Sequence, residues 1–419
     1  MNIGRGVALT PLEVASGYVF GLDAGAPTLP EPSTTPKAAF EEALRRALRR
    51  PPAVIAFSGG RDSSAVLAVA TSVARREGLP LPIAATMRFP DSAESDETAW
   101  QERVIGHLGL NEWIRIEITE ELDCVGPLAT SALRRHGLTW PANAHALMPL
   151  LEPARGGTLV TGDGGDLIFQ VSPWSDHVVQ VLGRRTTPTP RDLLRLGLAF
   201  GPQRARRRRL KRRYPEPVRA PWLRPAAHDA LVEAWSSDAS MEPIQLDRRI
   251  RWGWRLRAVR LALASFAEIA HAAEVELIHP FSDPAFVAAL AAAARSFRFA
   301  DRTEAMRILF ADVLPDELCA RSTKGGFRDV FWNRHARQFA SEWNGEGADP
   351  ELVDIEALRA LWLSSEARDH FRSCTQLQAA WLARHAGANG ISAPERVEES
   401  SHGGGHGLPV AGAAEPPSR

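Results

Sequence analysis

The sequence predicts an α/β protein in which a parallel sheet with helices on both faces is followed by a mainly helical half. Three observations lead to this prediction. Short apolar segments alternate with helical patterns up to about residue 161, two of these segments run directly into glycine-rich turns, and helical apolar spacing dominates from residue 226 onward. Because strands that alternate with helices are joined by right-handed crossovers, we expect the strands to run parallel.

The predicted sheet follows a segment without regular structure. Residues 1–36 are rich in Gly, Pro, Thr and Ala and are expected to form a linker or a remnant. Residues 37–50 carry helical apolar spacing, which Pro51 and Pro52 end. Four strands are predicted, at residues 53–57, 83–88, 113–118 and 158–161. The helices predicted between them span residues 63–76, 96–107, 129–135 and 144–154.

The pattern of residues predicts how the chain divides into domains. Residues 37–225 are expected to form the α/β domain with a basic insertion, whose run at residues 204–213 is typical of a solvated helix or mobile loop. A peptide or phosphate docking patch remains the alternative for that run. Residues 226–387 are predicted to be helical, and residues 388–419, which are poor in apolar side chains, to be a disordered tail. The predicted helices span residues 252–273, 284–294, 303–313 and 374–385.

The composition argues against several classes of protein. Fifty Lys and Arg residues balance fifty Asp and Glu residues, so no global field favours nucleic acid or membranes as partners. The longest apolar stretch, residues 285–294, is shorter than the ~20 residues of a membrane span, and the first residues show no secretory signal. Three distant cysteines predict neither a disulfide framework nor a thiolate metal site, so we expect a cytoplasmic protein.

The strongest local signal follows the first predicted strand, where SGGRDSS at residues 58–64 leads into a helix. Two adjacent glycines let consecutive N–H groups turn toward one point, and the helix N-terminus adds partial positive charge, as in a polyphosphate site. Asp62 would repel phosphates unless a cation lay between them, so the loop predicts Mg²⁺; the alternative is an ordinary turn. The candidate nucleotide-binding residues are Ser58, Gly59, Gly60, Arg61, Asp62, Ser63 and Ser64.

This loop resembles the pyrophosphate loop of the ATP-pyrophosphatases, which split ATP between the α and β phosphates. Further elements, in the expected order, are similar to the synthetase domain of the asparagine synthetase family, and the likeness covers about residues 37–385. It implies a fold like that of the adenine nucleotide alpha hydrolases, with ATP and Mg²⁺ as cofactors. The matching elements are TGDGGD at residues 161–166, HPFSD at 279–283, RTEAMR at 302–307, LP at 314–315 and RSTKGGF at 321–327.

The resemblance gives roles to the acidic loop residues. It implies that Asp62 and Asp166 hold Mg²⁺ and pyrophosphate, while Gly162 permits close backbone approach. Asp163 stands where asparagine synthetases carry a catalytic glutamate and is one methylene shorter, so its reach to an incoming amine stays open. The alternative for this segment is a turn with helix-capping aspartates.

Other candidates lie further along the chain. By resemblance, the Lys324 ammonium neutralises the oxyanion and the phosphate leaving group during amine attack, and Arg321 assists with phosphate charge. Met87 and Ala56 are expected to form the adenine wall, with a plain core position as the alternative. The acidic pair Asp96 and Glu97 also matches relatives, although first-turn helix residues need no functional reason.

The source of the amine stays open at this stage. Glutamine-dependent asparagine synthetases begin with a glutaminase domain whose first residue is cysteine, whereas the earliest cysteine here is Cys124. We therefore expect the amine to be ammonia, the product of a separate glutaminase, or an amino group of another substrate. The segments after Lys324 are similar to actinobacterial synthetases that close lasso-peptide macrolactams, which would imply a peptide carboxylate, a peptide amine and a precursor-peptide-binding partner.

Two other functions remain open from the sequence. A non-catalytic or partner-dependent homologue would keep the nucleotide loop without the reaction. A transfer-RNA-modifying relative would use the basic run at residues 204–213 for phosphate contacts, although TGDGGD and STKGGF argue against it. The leading expectation is an ATP-dependent carbon–nitrogen ligase that forms acyl-AMP from a small-molecule or peptide carboxylate.

Overall fold

The computed structural model describes residues 8–169, 189–212, 220–294, 302–321, 323, 325–364 and 370–386. Two expectations fall outside these residues: the role of Lys324 and the tail at residues 388–419. Within the described ranges, no helix is both long enough and apolar enough to span a membrane.

Five strands form one parallel sheet. They are β1 Ala53–Ala56, β2 Ile83–Arg88, β3 Trp113–Glu117, β4 Thr158–Val160 and β5 Glu276–Ile278. Their order is β3-β2-β1-β4-β5, and every neighbouring pair is parallel, which confirms the predicted fold class. The four strands predicted from the sequence are present. β5 was not predicted, because it starts at the exposed Glu276 and follows closely on the helical pattern of residues 252–273, so it does not stand out as a buried apolar run.

Helices surround the sheet and make up most of the second half. The helices of the first half are α1 Pro11–Ser16, α2 Pro36–Leu48, α3 Arg61–Glu77, α4 Thr98–Leu108, α5 Pro127–His136, α6 Met148–Leu151, α7 Gly165–Phe169, α8 Pro190–Ala199 and α9 Gln203–Arg212. The second half contains α10 Pro225–Met241, α11 Leu246–Trp254, α12 Arg257–Ala272, α13 Pro284–Ala293, α14 Arg302–Phe310, α15 Asp316–Cys319, α16 Arg328–Phe331, α17 Arg334–Glu342, α18 Ile355–Leu363 and α19 His370–His385. Short 3₁₀ helices lie at Ala93–Ser95, Ala144–Leu147 and Pro280–Ser282.

The strands bury side chains on both faces of the sheet. On one face Ile55 belongs to the same core as Phe40 of α2, whereas Val54 points to the other face and shares a core with Leu150 of α6 and Ile269 of α12. Helices therefore cover both faces, as predicted. Burial on both sides also explains why β1 is continuously apolar rather than alternating.

The segment predicted as a linker contains a helix. Thr10 and Glu13 form a capping box at the start of α1, and the carbonyl of Ala15 accepts a hydrogen bond of 2.7 Å from Trp222 Nε1. The stretch on which the linker prediction rested, residues 29–35, does lack helix and strand. The capping box at Thr10 was the signal that the prediction overlooked.

The same N-terminal segment divides a predicted helix. The helix expected over residues 252–273 is two helices, α11 and α12. At the break, Asp23 N–H donates to the carbonyl of Arg255 at 2.8 Å, and Arg257 N–H donates to the carbonyl of Gly21 at 3.0 Å. These backbone groups form hydrogen bonds with a distant part of the chain. Such a contact cannot be predicted from the local apolar pattern.

The prediction that the cysteines form no disulfide is wrong. Cys124 and Cys374 are joined although 250 residues separate them, and their Cα atoms are 6.1 Å apart. Both side chains belong to one buried core that also holds Trp222 and Trp362, so folding brings together cysteines that are remote in sequence. Structural disulfides are rare in the cytoplasm. The cytoplasmic location stays a prediction.

The basic run forms helix α9, one of the two forms expected for it. Arg206 is buried and donates to the carbonyl of Glu242 at 2.7 Å, while Arg207 and Lys211 pair with Glu233. The remaining cations of this helix are partly or fully exposed. A docking role for this surface stays untested.

Candidate active site

A cavity of about 570 Å³ opens at the carboxyl ends of β1, β2 and β4. Ligands bind at this edge of open parallel sheets. Both glycine-rich loops border the cavity, so one site gathers most of the residues predicted to act. Those that line it are Ser58, Gly60, Arg61, Asp62, Ser63, Met87, Gly162, Asp163, Asp166 and Arg321.

The first loop turns sharply between β1 and α3. Gly59 has φ +83°, and a Cβ there would lie 2.9 Å from Cγ of Gln101, so glycine suits this position on both counts. Ser58 Oγ accepts a hydrogen bond from Gly60 N–H at 3.3 Å and lies 3.1 Å from Ser63 Oγ. Because α3 begins directly after Gly60, the N–H groups of its first turn lie at the loop, where an anion is favoured.

The second loop packs directly against the first. Gly164 has φ +99°. A Cβ on Gly162 would lie 2.9 Å from the backbone nitrogen of Ser63, and one on Gly165 only 2.4 Å from Cγ of Asp62. Glycine is therefore required here for close approach between the two loops. The convergence on which the sequence argument depends is present.

Arg302 joins the two carboxylates predicted to hold magnesium. Its guanidinium forms ion pairs with both Asp62 and Asp166. Burial raises the pKa of the Asp62 carboxyl, and Arg302 partly offsets that rise. Burial also acts to lower the pKa of Arg302, but the two carboxylates together raise it. In the sequence, residues 302–307 are only a segment that matches the family, and nothing in it predicts this contact.

Arg321 is buried in a network rather than presented to the cavity as a free cation. Its guanidinium binds the carbonyl of Gly59 and the carboxylate of Glu97, and lies 4.8 Å from the centre of the Trp100 ring. Glu97 also accepts a hydrogen bond of 2.7 Å from Gly325 N–H. The pair thus ties the first loop to Thr323 and Gly325. Glu97, which needed no functional reason as a helix-start residue, is the buried partner of this arginine.

Asp163 lies in a hydrogen-bonded group with two neighbours. Thr161 Oγ1 donates to Asp163 Oδ2 at 2.8 Å, and Nδ1 of His279 lies 2.7 Å from the same hydroxyl. His279 follows β5, so the strand that the sequence analysis missed delivers this side chain. The HPFSD match contained His279 but gave no hint of this contact.

The other candidates divide into lining, buried and undescribed positions. Met87 and Ala56 line the cavity, as expected for an adenine wall. Ser64 is buried, and its hydroxyl has no hydrogen-bond partner. Lys324 lies outside the described residues, although Thr323 and Gly325 on either side of it border the cavity.

The carboxylates of this site suit a magnesium ion whose other ligands are phosphate oxygens. Within the described ranges, no group of three or more His, Cys, Asp or Glu side chains could hold a metal by itself. Mg²⁺ usually takes one or two carboxylates together with phosphate oxygens and water. Asp62 Oδ1 is buried without a hydrogen-bond partner, and Arg302 supplies the positive charge that the pair needs. The donor set therefore fits the ion.

The parallel sheet and the two loops at its strand ends define an α/β protein with a site of the kind that binds phosphates. The family model described as asparagine synthase matches residues 36–385, so the chain belongs to the asparagine synthase family. This is a family of ATP-dependent synthetases, and an ATP-dependent ligase is the activity it implies. The comparison with curated proteins gives no match.

Proposed function

We propose that the chain is an ATP- and Mg²⁺-dependent amide synthetase. A carboxylate oxygen of the substrate attacks the α phosphorus of ATP, the bond between the α and β phosphates breaks, and pyrophosphate leaves. An amine nitrogen then attacks the acyl carbon, and AMP leaves. The observation that carries the proposal is the contact between the loops at residues 58–64 and 161–166, which sets two carboxylates beside two glycine-rich backbones.

The surroundings of each residue indicate its role in the proposed reaction. The backbone N–H groups of the first loop and the start of α3 bind phosphate oxygens, and Asp62 and Asp166 are the residues that would hold a magnesium ion. When bound there, the ion would supply positive charge to neutralise pyrophosphate. Arg321 keeps the first loop in place through Gly59, and Asp163 faces the cavity where the amine arrives. Lys324 is the proposed donor to the tetrahedral oxyanion.

The cavity wall supports a peptide carboxylate over free aspartate. A free amino acid brings an α-ammonium and an α-carboxylate, which need charged or polar partners when buried. Beyond the loops, the described wall is mainly apolar and aromatic, with Leu122, Leu147, Leu150, Phe266, Phe327 and Phe331. The charged side chains that line the described part of the cavity are Arg61, Asp62, Glu97, Asp163, Asp166, Arg302 and Arg321. The uncharged polar side chains beyond the loops are Asn143 together with Ser95, Gln101 and Thr323, and the last three form hydrogen bonds within the protein.

These charged residues belong to the two loops or to the networks tied to them. We therefore place macrolactam formation within a peptide ahead of asparagine formation. A side-chain carboxylate of the peptide would be activated, and an amine of the same peptide would attack it.

Pyrophosphate release tests the function. The protein is incubated with ATP and Mg²⁺, together with either aspartate and ammonia or a linear peptide that carries a free N-terminal amine and an internal Asp side chain. We expect release with the peptide, and a drop of at least about 100-fold in Asp62→Ala because a carboxylate that holds the metal is lost. Asp312→Ala is the matched control, because Asp312 is an exposed carboxylate paired with Lys37.

The outcomes separate the alternatives. Release with aspartate and ammonia alone would favour an asparagine-forming enzyme. A wild-type protein that binds ATP but releases no pyrophosphate with either substrate, and whose ATP binding is unaffected by Asp62→Ala, would be a non-catalytic homologue and would end the proposal.

A further inference from the structure

A threonine hydroxyl connects His279 to Asp163. Nδ1 of His279 lies 2.7 Å from Thr161 Oγ1, and that hydroxyl donates to Asp163 Oδ2 at 2.8 Å. Asp163 N–H donates back to the same oxygen at 3.2 Å. Nδ1 is 3.7 Å from Asp163 Oδ2, too far for a direct hydrogen bond. The imidazole therefore acts on the carboxylate through the hydroxyl.

The hydrogen-bond pattern fixes the tautomer of His279. Thr161 has one hydroxyl proton, and an ionised carboxylate only accepts, so that proton points to Asp163. Nδ1 of His279 must then carry a proton and donate it to Thr161. A neutral ring protonated at Nδ1 leaves Nε2 bare, and Nε2 is buried without a hydrogen-bond partner. Burial lowers the pKa of His279, which agrees with a neutral ring.

The carboxylate needs such support because it faces the cavity. The Asp163 side chain is 53% exposed, whereas that of His279 is 9% exposed and Thr161 is buried. An exposed aspartate is free to change rotamer unless hydrogen bonds hold it. With Oδ2 bound to Thr161, the second oxygen, Oδ1, remains available to a substrate in the cavity.

We propose that His279 is a positioning residue for the amine-transfer step, holding the ionised carboxylate of Asp163 through Thr161 so that it accepts a proton from the attacking amine. This inference rests on the proposed function. As the nitrogen forms its bond to the acyl carbon it loses one proton to Asp163, and AMP leaves with the electron pair of the acyl–oxygen bond. His279 keeps its own proton throughout.

A purely structural role explains the histidine less well. The ring packs beside Phe266, with 5.8 Å between ring centres, a position that an apolar side chain could fill. Burying an imidazole whose Nε2 has no partner costs free energy that leucine would avoid. The hydrogen bond from Nδ1 offsets that cost, and it leads to the carboxylate at the cavity.

Three substitutions of His279 distinguish a positioning role from a packing role. His279→Leu removes the donor, His279→Asn keeps a nitrogen near the Nδ1 position, and His279→Gln places one near Nε2. For each variant, two rates are measured with the substrate that supports pyrophosphate release, which is either aspartate with ammonia or the linear peptide. Exchange of labelled pyrophosphate into ATP reports activation of the carboxylate, and amide formation reports the transfer to the amine.

We expect His279→Leu and His279→Gln to slow amide formation by about 10–100-fold, a part of what general base catalysis contributes, and to leave exchange within about twofold. His279→Asn should recover most of the loss. An equal fall in both rates would indicate a structural role and overturn the proposal. So would unchanged amide formation, or an asparagine variant as slow as the leucine variant.

A second measurement does not depend on the reaction. Nitrogen NMR of the full chain labelled at histidine, with His279→Gln used for assignment, should show a neutral ring protonated at Nδ1. Thr161→Val should shift that nitrogen. A ring protonated at Nε2 would overturn the proposal. If neither probe released pyrophosphate, the proposed function and the role of His279 in amine transfer would both fail, whereas a ring protonated at Nε2 with pyrophosphate release intact would overturn only the inference about His279.

Discussion

Arg302→Gln should let a divalent cation bind to Asp62 and Asp166 without nucleotide. In the structure the guanidinium lies between both carboxylates, where it provides the positive charge that a metal would bring. A metal that enters must displace it. Glutamine can still donate hydrogen bonds but carries no charge, so it removes the guanidinium charge that pairs with both carboxylates.

The magnitude follows from the charges. Two unit charges about 4 Å apart attract by about 4 kcal/mol at an effective dielectric constant of about 20. The Asp166 side chain is 63% exposed and its share is screened, so we count chiefly the pair with Asp62. After partial desolvation is subtracted, about 2 kcal/mol remains. At about 1.4 kcal/mol per tenfold change, removing Arg302 should tighten metal binding by roughly 30-fold.

Manganese serves as the probe because its binding can be followed by electron paramagnetic resonance. Titrations of wild type and Arg302→Gln in the absence of ATP give the two dissociation constants. Arg307→Gln is the matched control, since Arg307 lies on the same helix and pairs with Asp316, whose side chain is 69% exposed. Equal manganese affinity in wild type and Arg302→Gln would refute the reasoning. If no variant bound manganese even with ATP, the metal assignment itself would fail.

The remaining predictions concern stability. Burial raises the pKa of Asp62, and a carboxyl so shifted stabilises the fold below its unfolded pKa and loses that contribution as pH rises through its folded pKa. The melting temperature of wild type relative to that of Asp62→Asn should therefore fall between pH 4 and pH 7.5. Arg321→Ala strands the buried Glu97 carboxylate and should cost about 3–5 kcal/mol in urea unfolding, against under about 1 kcal/mol for the exposed Arg103→Ala. Cys374→Ser should cost about 2–5 kcal/mol, a difference that a reductant abolishes.

Local chemistry made much of this site predictable. The turns around Gly59 and Gly164 are encoded within a few residues, because a positive φ and close backbone approach both require glycine. The sequence also indicated that carboxylates in such loops need positive charge nearby. Which cation supplies that charge could not be read from the chain, since Arg302 lies 240 residues from Asp62.

Long-range contacts explain what the sequence analysis missed. β5 is three residues long and became a strand only because β4 offered it a partner edge. The pairing of Cys124 with Cys374 and the division of the helix around Arg255 depend equally on segments that meet only after folding. The periodicity of apolar residues carries no information about contacts between segments so distant in sequence.

The position of β5 far along the chain from β4 affects folding during synthesis and the choice of a site at which to split the chain. About 115 residues separate β4 from β5, and the strand that completes the sheet edge carries His279 at its end. During synthesis, the first four strands must wait until α10, α11 and α12 have been made before their last neighbour leaves the ribosome. A fragment that stops near residue 225 would expose the edge of β4 and lack one wall of the cavity. Any attempt to split the protein into complementing halves should therefore cut after Ile278 rather than before it.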